Sequence, residues 1–290
     1  MRRVSSALDT DTGQIMQTPA EASTDGHDSL EVRVYAELND FLPRRSRFSV
    51  LRRPVRSHQT VKDVVEAAGI PHTEVDLLLV NGESVDFGHR PRPGDRLAVY
   101  PVFESLDIAP LTRVRPAPLR EPRLLADVNL GGAARLLRLM GLDVRCEFDA
   151  DDAYLAEISA DDHRILLTRD RGLLARRIVT HGLFVRADLP IEQTVEVIDR
   201  LDLSRRLAPL TRCLRCGARL EDVAKADIVD RLPPRTRREH HSFRRCTGCD
   251  RIYWAGTHQH RLDQLVDRIM SQVRSVHYPP DPSAGPEPGG

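Results

Sequence analysis

Two Cys-x-x-Cys pairs, Cys213-Leu-Arg-Cys216 and Cys246-Thr-Gly-Cys249, constrain this chain more tightly than any other feature, because 29 residues separate them. Thiols that far apart share one ion only if the backbone between them doubles back as a hairpin. A glycine in or just after each pair lets the chain turn beneath the ion. Four thiolates fill a tetrahedral zinc shell and leave no open position, so a zinc ion here is expected to hold structure and not to catalyse. A pair of redox motifs fits less well, since neither pair opens a helix after a thioredoxin-like strand. The fifth cysteine, Cys146, is expected to be a small buried hydrophobe beside a strand.

The chain has 290 residues, which suggests about two modules. Its 40% hydrophobic, 4% aromatic and 30% charged residues suit aliphatic cores under a solvated surface. No stretch approaches the roughly 20 apolar residues of a membrane span, and the first residues hold no apolar run like a signal peptide, so a cytoplasmic protein without membrane contact is expected. The net charge of +0 conceals a pattern. Residues 123–210 hold 13 Arg against 15 acids, and residues 211–261 hold 12 basic residues against 6 acids. An acidic stretch followed by a basic one suits a metal-dependent enzyme acting on a polyanion, although solvated faces produce the same counts. Only Lys62 and Lys225 are lysine, so the arginine excess reads as codon bias.

Residues 1–29 are polar and aperiodic, as in a disordered arm. Within residues 30–106, VRVYAEL and RFSVLRRPV alternate like the strands of a hairpin, and Thr60 caps a helix over TVKDVVEAAGI. VDLLLV, the turn Asn81-Gly82 and DRLAVYPVF complete a β-β-α-β-β order, a small β-grasp domain. Residues 107–122 carry four prolines and suit a semi-rigid linker. Residues 123–210 then alternate strand and helix: RLLADV, GGAARLLRLMGL, DVRCEF, DDAYLAEISADD, RILLT, DRGLLARRIVTHG, LFVRA and IEQTVEVIDRLDL. That alternation predicts a parallel sheet covered on both faces, an α/β domain. Residues 211–274 hold the cysteine pairs and a closing helix, and residues 275–290 form a Pro/Gly-rich tail.

Aspartates stand where these strands run out: Asp127 after LLA, Asp151 and Asp152 after DVRCEF, Asp170 after ILLTR, and Asp188 after LFVRA. In an open parallel sheet the carboxyl ends line one crevice. Carboxylates gathered there repel one another unless a cation sits between them, and hard oxygen ligands select Mg²⁺ or Mn²⁺. Asp127, Asp152 and Asp170 are the candidate ligands, with Asp151 as an alternative to Asp152 and Asp188 able to complete a two-ion site for in-line phosphoryl displacement. Arg171 could hold a substrate phosphate. Each aspartate could equally be an N-cap or turn residue, and Asp143 and Asp149 read that way.

Between and after the cysteine pairs lie RTRREHHSFRR and RIYWAGTHQHR. Their arginines with Phe243, Tyr253 and Trp254 could grip a phosphate backbone and stack bases, or Tyr253 and Trp254 could pack under the zinc. His240, His241, His258 and His260 read as surface residues, since four cysteines suffice for the ion.

The runs LLADVNLGGAARLLRLMGLDV, DADDAYLAEI and RILLTRDRGLLARR, followed by CLRC and CTGCDRIYW, resemble the PIN-like RNase family first noted at the C-terminus of a nematode mutator exonuclease, over about residues 123–270. The region before it resembles the ubiquitin-like, sulfur-carrier-type β-grasp domain that precedes this nuclease in many bacterial members. The resemblance implies a PIN-type sheet, a Mg²⁺ or Mn²⁺ site, RNA as substrate and an inserted zinc ribbon. It matches Asp127 to the family's first-strand aspartate, Asp152 or Asp151 to the acid opening the second helix, and Asp170 with Arg171 to its TRDR element. VNLGGAA is richer in glycine than a family helix start, which would loosen the loop after Asp127. The β-grasp domain lacks a diglycine at its own end, so recruiting a partner or substrate suits it better than thiocarboxylate chemistry. Gly289-Gly290, at the end of the chain, is put down to tail composition. The expectation is a metal-dependent ribonuclease with a structural zinc ribbon that aids RNA binding. The competing class is a non-catalytic RNA- or protein-binding adaptor.

Overall fold

Leu30, Val32 and Val34 alternate along β1 (Ser29–Val34) and turn one face of the strand inward. β1 pairs antiparallel with β2 (Val50–Pro54) as expected. Helix α1 (Val61–Ala67) starts at Thr60, where a capping box forms: the Thr60 hydroxyl accepts from the Asp63 N–H, and the Asp63 carboxylate accepts from the Thr60 N–H. β3 (Leu77–Val80) turns into the short β4 (Glu83–Ser84) through Asn81 and Gly82, at φ of 53° and 92°, as a two-residue hairpin turn requires. β5 (Arg96–Tyr100) inserts between β1, to which it is parallel, and β3, to which it is antiparallel, giving the order β2-β1-β5-β3-β4. Val61, Val64 and Val65 of α1 share one core with Leu30, Val32, Leu78 and Val99 of the sheet, which is the β-grasp arrangement.

The second half alternates β6 (Leu124–Ala126), α2 (Gly131–Leu139), β7 (Val144–Cys146), α3 (Asp152–Asp161), β8 (Ile165–Thr168), α4 (Arg171–Leu174), β9 (Gly182–Phe184) and α5 (Pro190–Arg200). β10 (Leu220–Val223), α6 (Pro234–Glu239), β11 (Phe243–Cys246), β12 (Ile252–Trp254) and α7 (Gln259–His277) follow. β6 to β9 form an all-parallel sheet in the order β7-β6-β8-β9. Leu124, Ala126, Leu167 and Leu183 face α2, α5 and the Ile269 and Val273 side of α7, whereas Leu125 and Leu166 face α3 and α4. Both faces are covered, so β6, β8 and β9 are almost wholly apolar, while the edge strand β7 carries Arg145, which pairs with Glu147 and Asp162.

The structure, a computed structural model, describes residues 29–101, 112–114, 122–256 and 259–277. The expected arm, most of the linker, His258, the end of the tail and Gly289-Gly290 lie outside the described residues. α7 runs to His277, past the expected start of the tail at residue 275. No helix among the described residues is long and apolar enough to cross a membrane.

Two local expectations change. The pattern of DRGLLARRIVTHG predicts one helix, yet only Arg171–Leu174 is helical. Leu173 and Leu174 are buried, and a continuing helix would turn Arg176 and Arg177 toward the same core. The chain breaks instead, and Val179 enters the core shared with α3 and α4. The glycines after Asp127 do not loosen their loop. Val128–Leu130 form a 3-10 turn leading directly into α2, and a Cβ on Gly132 would stand 3.0 Å from Pro190 Cγ, so glycine lets the start of α5 pack there.

Candidate active site and metal centre

From β6 the chain crosses to β7 on one side and then returns past β6 to β8 on the other, so the carboxyl ends of β6 and β8 flank the switch point of the sheet, where open α/β sheets take their ligands. Asp127 directly follows β6, and Asp170 follows β8 by two residues. Asp127 is buried and stands at the N-cap of the 3-10 turn, but its carboxylate caps nothing. Its Oδ2 instead accepts from the Thr168 hydroxyl at 2.8 Å, and Thr168 Oγ1 accepts from the Asp170 N–H at 3.0 Å. One fully buried threonine therefore joins the two aspartates. Asp170 Oδ1 accepts from the N–H groups of Gly172 and Leu173 and caps α4.

The other candidates lie differently. Asp151 Oδ1 accepts from the Tyr154 N–H at 2.8 Å and is the cap of α3, while Asp152, the first helical residue, is exposed. Asp188 pairs with Arg169 at 2.7 Å on the surface. Arg171 turns away from the crevice: its guanidinium lies 4.9 Å from the Phe41 ring centroid and 5.4 Å from that of Phe184, and its Nη1 donates to the Phe41 carbonyl. In this arrangement it binds the β-grasp domain in place of the phosphate expected for it. Among the described residues the four cysteines are the one set of three or more Cys, His, Asp or Glu ligand atoms lying within 4.8 Å of one another, and the aspartates form no such set.

β10, β11 and β12 make a three-stranded antiparallel ribbon that carries the cysteines. Cys213 Sγ lies 3.6 Å from Cys249 Sγ, and Cys216 Sγ 3.4 Å from Cys246 Sγ. Zn–S bonds of about 2.3 Å set tetrahedral sulfurs about 3.8 Å apart, so spacing and donor type both fit zinc. Burial pushes the Cys213 thiol up, but hydrogen bonds from the Tyr253 O–H at 3.0 Å and from the N–H groups of Cys216 and Arg215 outweigh it and hold the group at about 6. Burial pushes Cys216 up to about 12. Thiols this close resist ionising together, and a dication removes that penalty. Tyr253 thus packs under the metal position, and Phe243 is buried against Ile228 and Leu232, so the base stacking expected of Phe243 is not open to it. Trp254 remains 36% exposed. Cys146, at the end of β7, is half-buried, and burial raises its thiol above the ordinary value.

The first cysteine knuckle docks on the amino end of the parallel sheet. Arg138 of α2, 4% exposed, donates to the Val144 carbonyl at 2.9 Å and to the Arg215 carbonyl at 2.8 Å. A Cβ on Gly217, at φ +82°, would stand 2.7 Å from the Val144 oxygen. Val144 opens β7 and pairs with Leu124, the first residue of β6, so the cysteines and the Asp127–Asp170 crevice lie at opposite ends of the strands, about 10 Å of strand apart.

Comparison with known proteins places this architecture. The family model described as Mut7-C RNAse domain matches residues 122–266, and that described as Mut7-C ubiquitin matches residues 28–107. No curated protein matches the chain. Among solved structures, the small archaeal modifier protein 1 of H. volcanii is 23% identical, covering 26% of this chain and 98% of its own at a TM-score of 0.21. A second structure, of SAMP1 from Haloferax volcanii, is 26% identical, covering 27% of this chain and 99% of its own at a TM-score of 0.22. With the RNAse-domain model spanning half of its residues and its ubiquitin-like companion directly before it, the chain belongs to the Mut7-C RNAse family.

Proposed function

We propose that this protein is a metal-dependent ribonuclease that hydrolyses RNA phosphodiester bonds in the crevice between β6 and β8. One observation carries the reading: Asp127 and Asp170 meet through Thr168 at the switch point, with the Asp127 carboxylate buried yet not spent on a helix cap. The residues suit Mg²⁺ or Mn²⁺, because such ions keep several waters and need only one or two protein carboxylates. Asp127 and Asp170 would hold the ion, with Asp152 or Asp151 as the further candidate. When bound, it lowers the pKa of a coordinated water and offsets charge on the phosphoryl group. The chain itself supplies orientation. Thr168 holds Asp127 in one rotamer, and the α4 cap engages only Oδ1 of Asp170. Asp188, paired with Arg169, and Arg171, held by the first domain, stand outside this minimal pair.

Zinc is assigned a structural part. The basic strip of the ribbon, with Arg237, Arg238 and exposed Trp254, would aid RNA binding as a contact separate from the crevice. The exposed β2 side of the β-grasp domain, with Phe48 and Val50, is where a protein partner would meet it.

The test is cleavage of a pool of structured and single-stranded RNAs by the full chain with Mn²⁺, Mg²⁺ or EDTA, beside an Asp127→Asn plus Asp170→Asn variant of verified folding and zinc content. Metal-dependent cutting that the variant loses is the expected result. If neither protein cuts while both bind RNA equally and keep zinc, the hydrolytic reading falls and a non-catalytic adaptor replaces it.

A further inference from the structure

The crevice has an apolar mouth that hydrolysis does not use. Among the described residues, half of the large hydrophobic side chains left exposed lie at the carboxyl end of the parallel sheet: Val128 after Asp127, Phe148 after β7, Tyr154 in the first turn of α3, and Leu189 at the cap of α5. The two aromatic rings are the most telling, at 67% exposed for Phe148 and 48% for Tyr154. A Cβ on Gly131 would stand 3.7 Å from Phe148 Cε1, which places that ring against the first turn of α2, immediately after the turn that begins at Asp127. The backbone of Tyr154 is fixed by the Asp151 cap, whose carboxylate accepts its N–H, and its ring is left open to solvent.

The charge around these rings narrows what they can hold. Asp149, Asp151 and Asp152 are exposed on the same loop and helix start, and with no cation bound they repel a phosphate backbone. The rings therefore do not lie along a phosphate track, and what they offer a polyanion is the face of a π-system. Bases bind such faces only when unpaired, because in a duplex each base face is already covered by its neighbours. We infer that Phe148 and Tyr154 hold unpaired bases of a single-stranded RNA segment at the entrance to the Asp127–Asp170 crevice. This rests on the reading of that crevice as the place where RNA is bound.

Fluorescence anisotropy with the full chain, without added divalent ions, tests it using a labelled mixed-sequence 12-nucleotide RNA, single-stranded or annealed to its complement. Wild-type protein should bind the single strand more tightly than the duplex. Phe148→Ala and Tyr154→Ala should each weaken single-strand binding at least about fivefold, and Tyr154→Phe should retain it. Both side chains are exposed, so thermal melting should report unchanged folding. Equal binding of the duplex, no binding of the single strand, or alanine variants within twofold of wild type would each overturn the inference. Ring-dependent binding without any cutting upholds it and removes the hydrolytic reading, whereas cutting with ring-independent binding removes this inference alone.

Discussion

Thr168 is a small residue on which two charged ones depend. Fully buried at the end of β8, it donates to the Asp127 carboxylate and accepts from the Asp170 backbone N–H, so one hydroxyl orients the first carboxylate and anchors the backbone of the second. Thr168→Val keeps the shape and removes the oxygen, leaving a buried carboxylate without its donor. A loss of about 1–3 kcal/mol is expected in denaturant titration. RNA cleavage should fall further than that stability loss explains, and Thr168→Ser should recover most of it. Undiminished cleavage by a folded Thr168→Val would remove Thr168 from the site. The two aspartates were legible in the sequence because alternating strands and helices force whatever follows a strand to one end of the sheet. Thr168 was not, since a threonine closing an aliphatic strand reads as a β-former. Phe243 was misread for the converse reason. Amid arginines it looks exposed, but the pairing of β10 with β11 turns it into the small core of the ribbon.

Among elements, the ribbon shows how local spacing and distant docking differ in legibility. The four-cysteine shell could be read directly, because ligand spacing is a local property. Its seat on the sheet could not: Gly141 and Gly217 look like ordinary turn glycines, yet a Cβ on Gly141 would stand 2.1 Å from the Ala208 oxygen and one on Gly217 would meet β7. Arg138 looks like a surface arginine of α2 but is buried as the strut between β7 and the knuckle. Removing zinc with a thiol-competitive chelator should therefore do more than unfold the ribbon. It should free the Arg215 carbonyl from Arg138 and lower the melting temperature of the parallel-sheet half. Arg138→Ala should reproduce part of that loss with zinc still bound, as zinc content and thermal melting together would show. A melting temperature unmoved by complete zinc removal would mean that the sheet does not lean on the ribbon.

At the scale of the whole molecule, the two halves are more closely bound than the Pro-rich segment between them suggested. Glu74 of the β-grasp domain has a fully buried side chain, and its Oε1 accepts the N–H of Phe184 on β9, the edge strand of the parallel sheet. Its Oε2 pairs with Arg200 at 2.7 Å and lies 3.6 Å from Arg186, while the His72 ring meets the Val179 carbonyl at 2.9 Å. A carboxylate thus blunts an edge that would otherwise invite another strand. The network was invisible in sequence because its members come from two domains more than 100 residues apart, and Glu74 sits in a His-Thr-Glu turn that no periodicity marks. Breaking a buried pair weakens the hold on its partner: Glu74→Ala leaves Arg186 and Arg200 close together with Glu196, 3.8 and 3.6 Å away, as their shared remaining counter-charge and Asp40 3.9 Å from Arg186, so a cost of about 3 kcal/mol, the low end for a broken buried pair, is expected. Wild-type protein should unfold in one transition, and Glu74→Ala should split it into separate β-grasp and sheet transitions in differential scanning calorimetry. One unsplit transition at the wild-type midpoint would refute the coupling. The effect should also reach the crevice, because Arg171, stacked on Phe41 of the first domain, is the residue next to Asp170. Loss of docking releases that arginine, so RNA cleavage by Glu74→Ala should drop at temperatures below its first transition, where both domains are still folded.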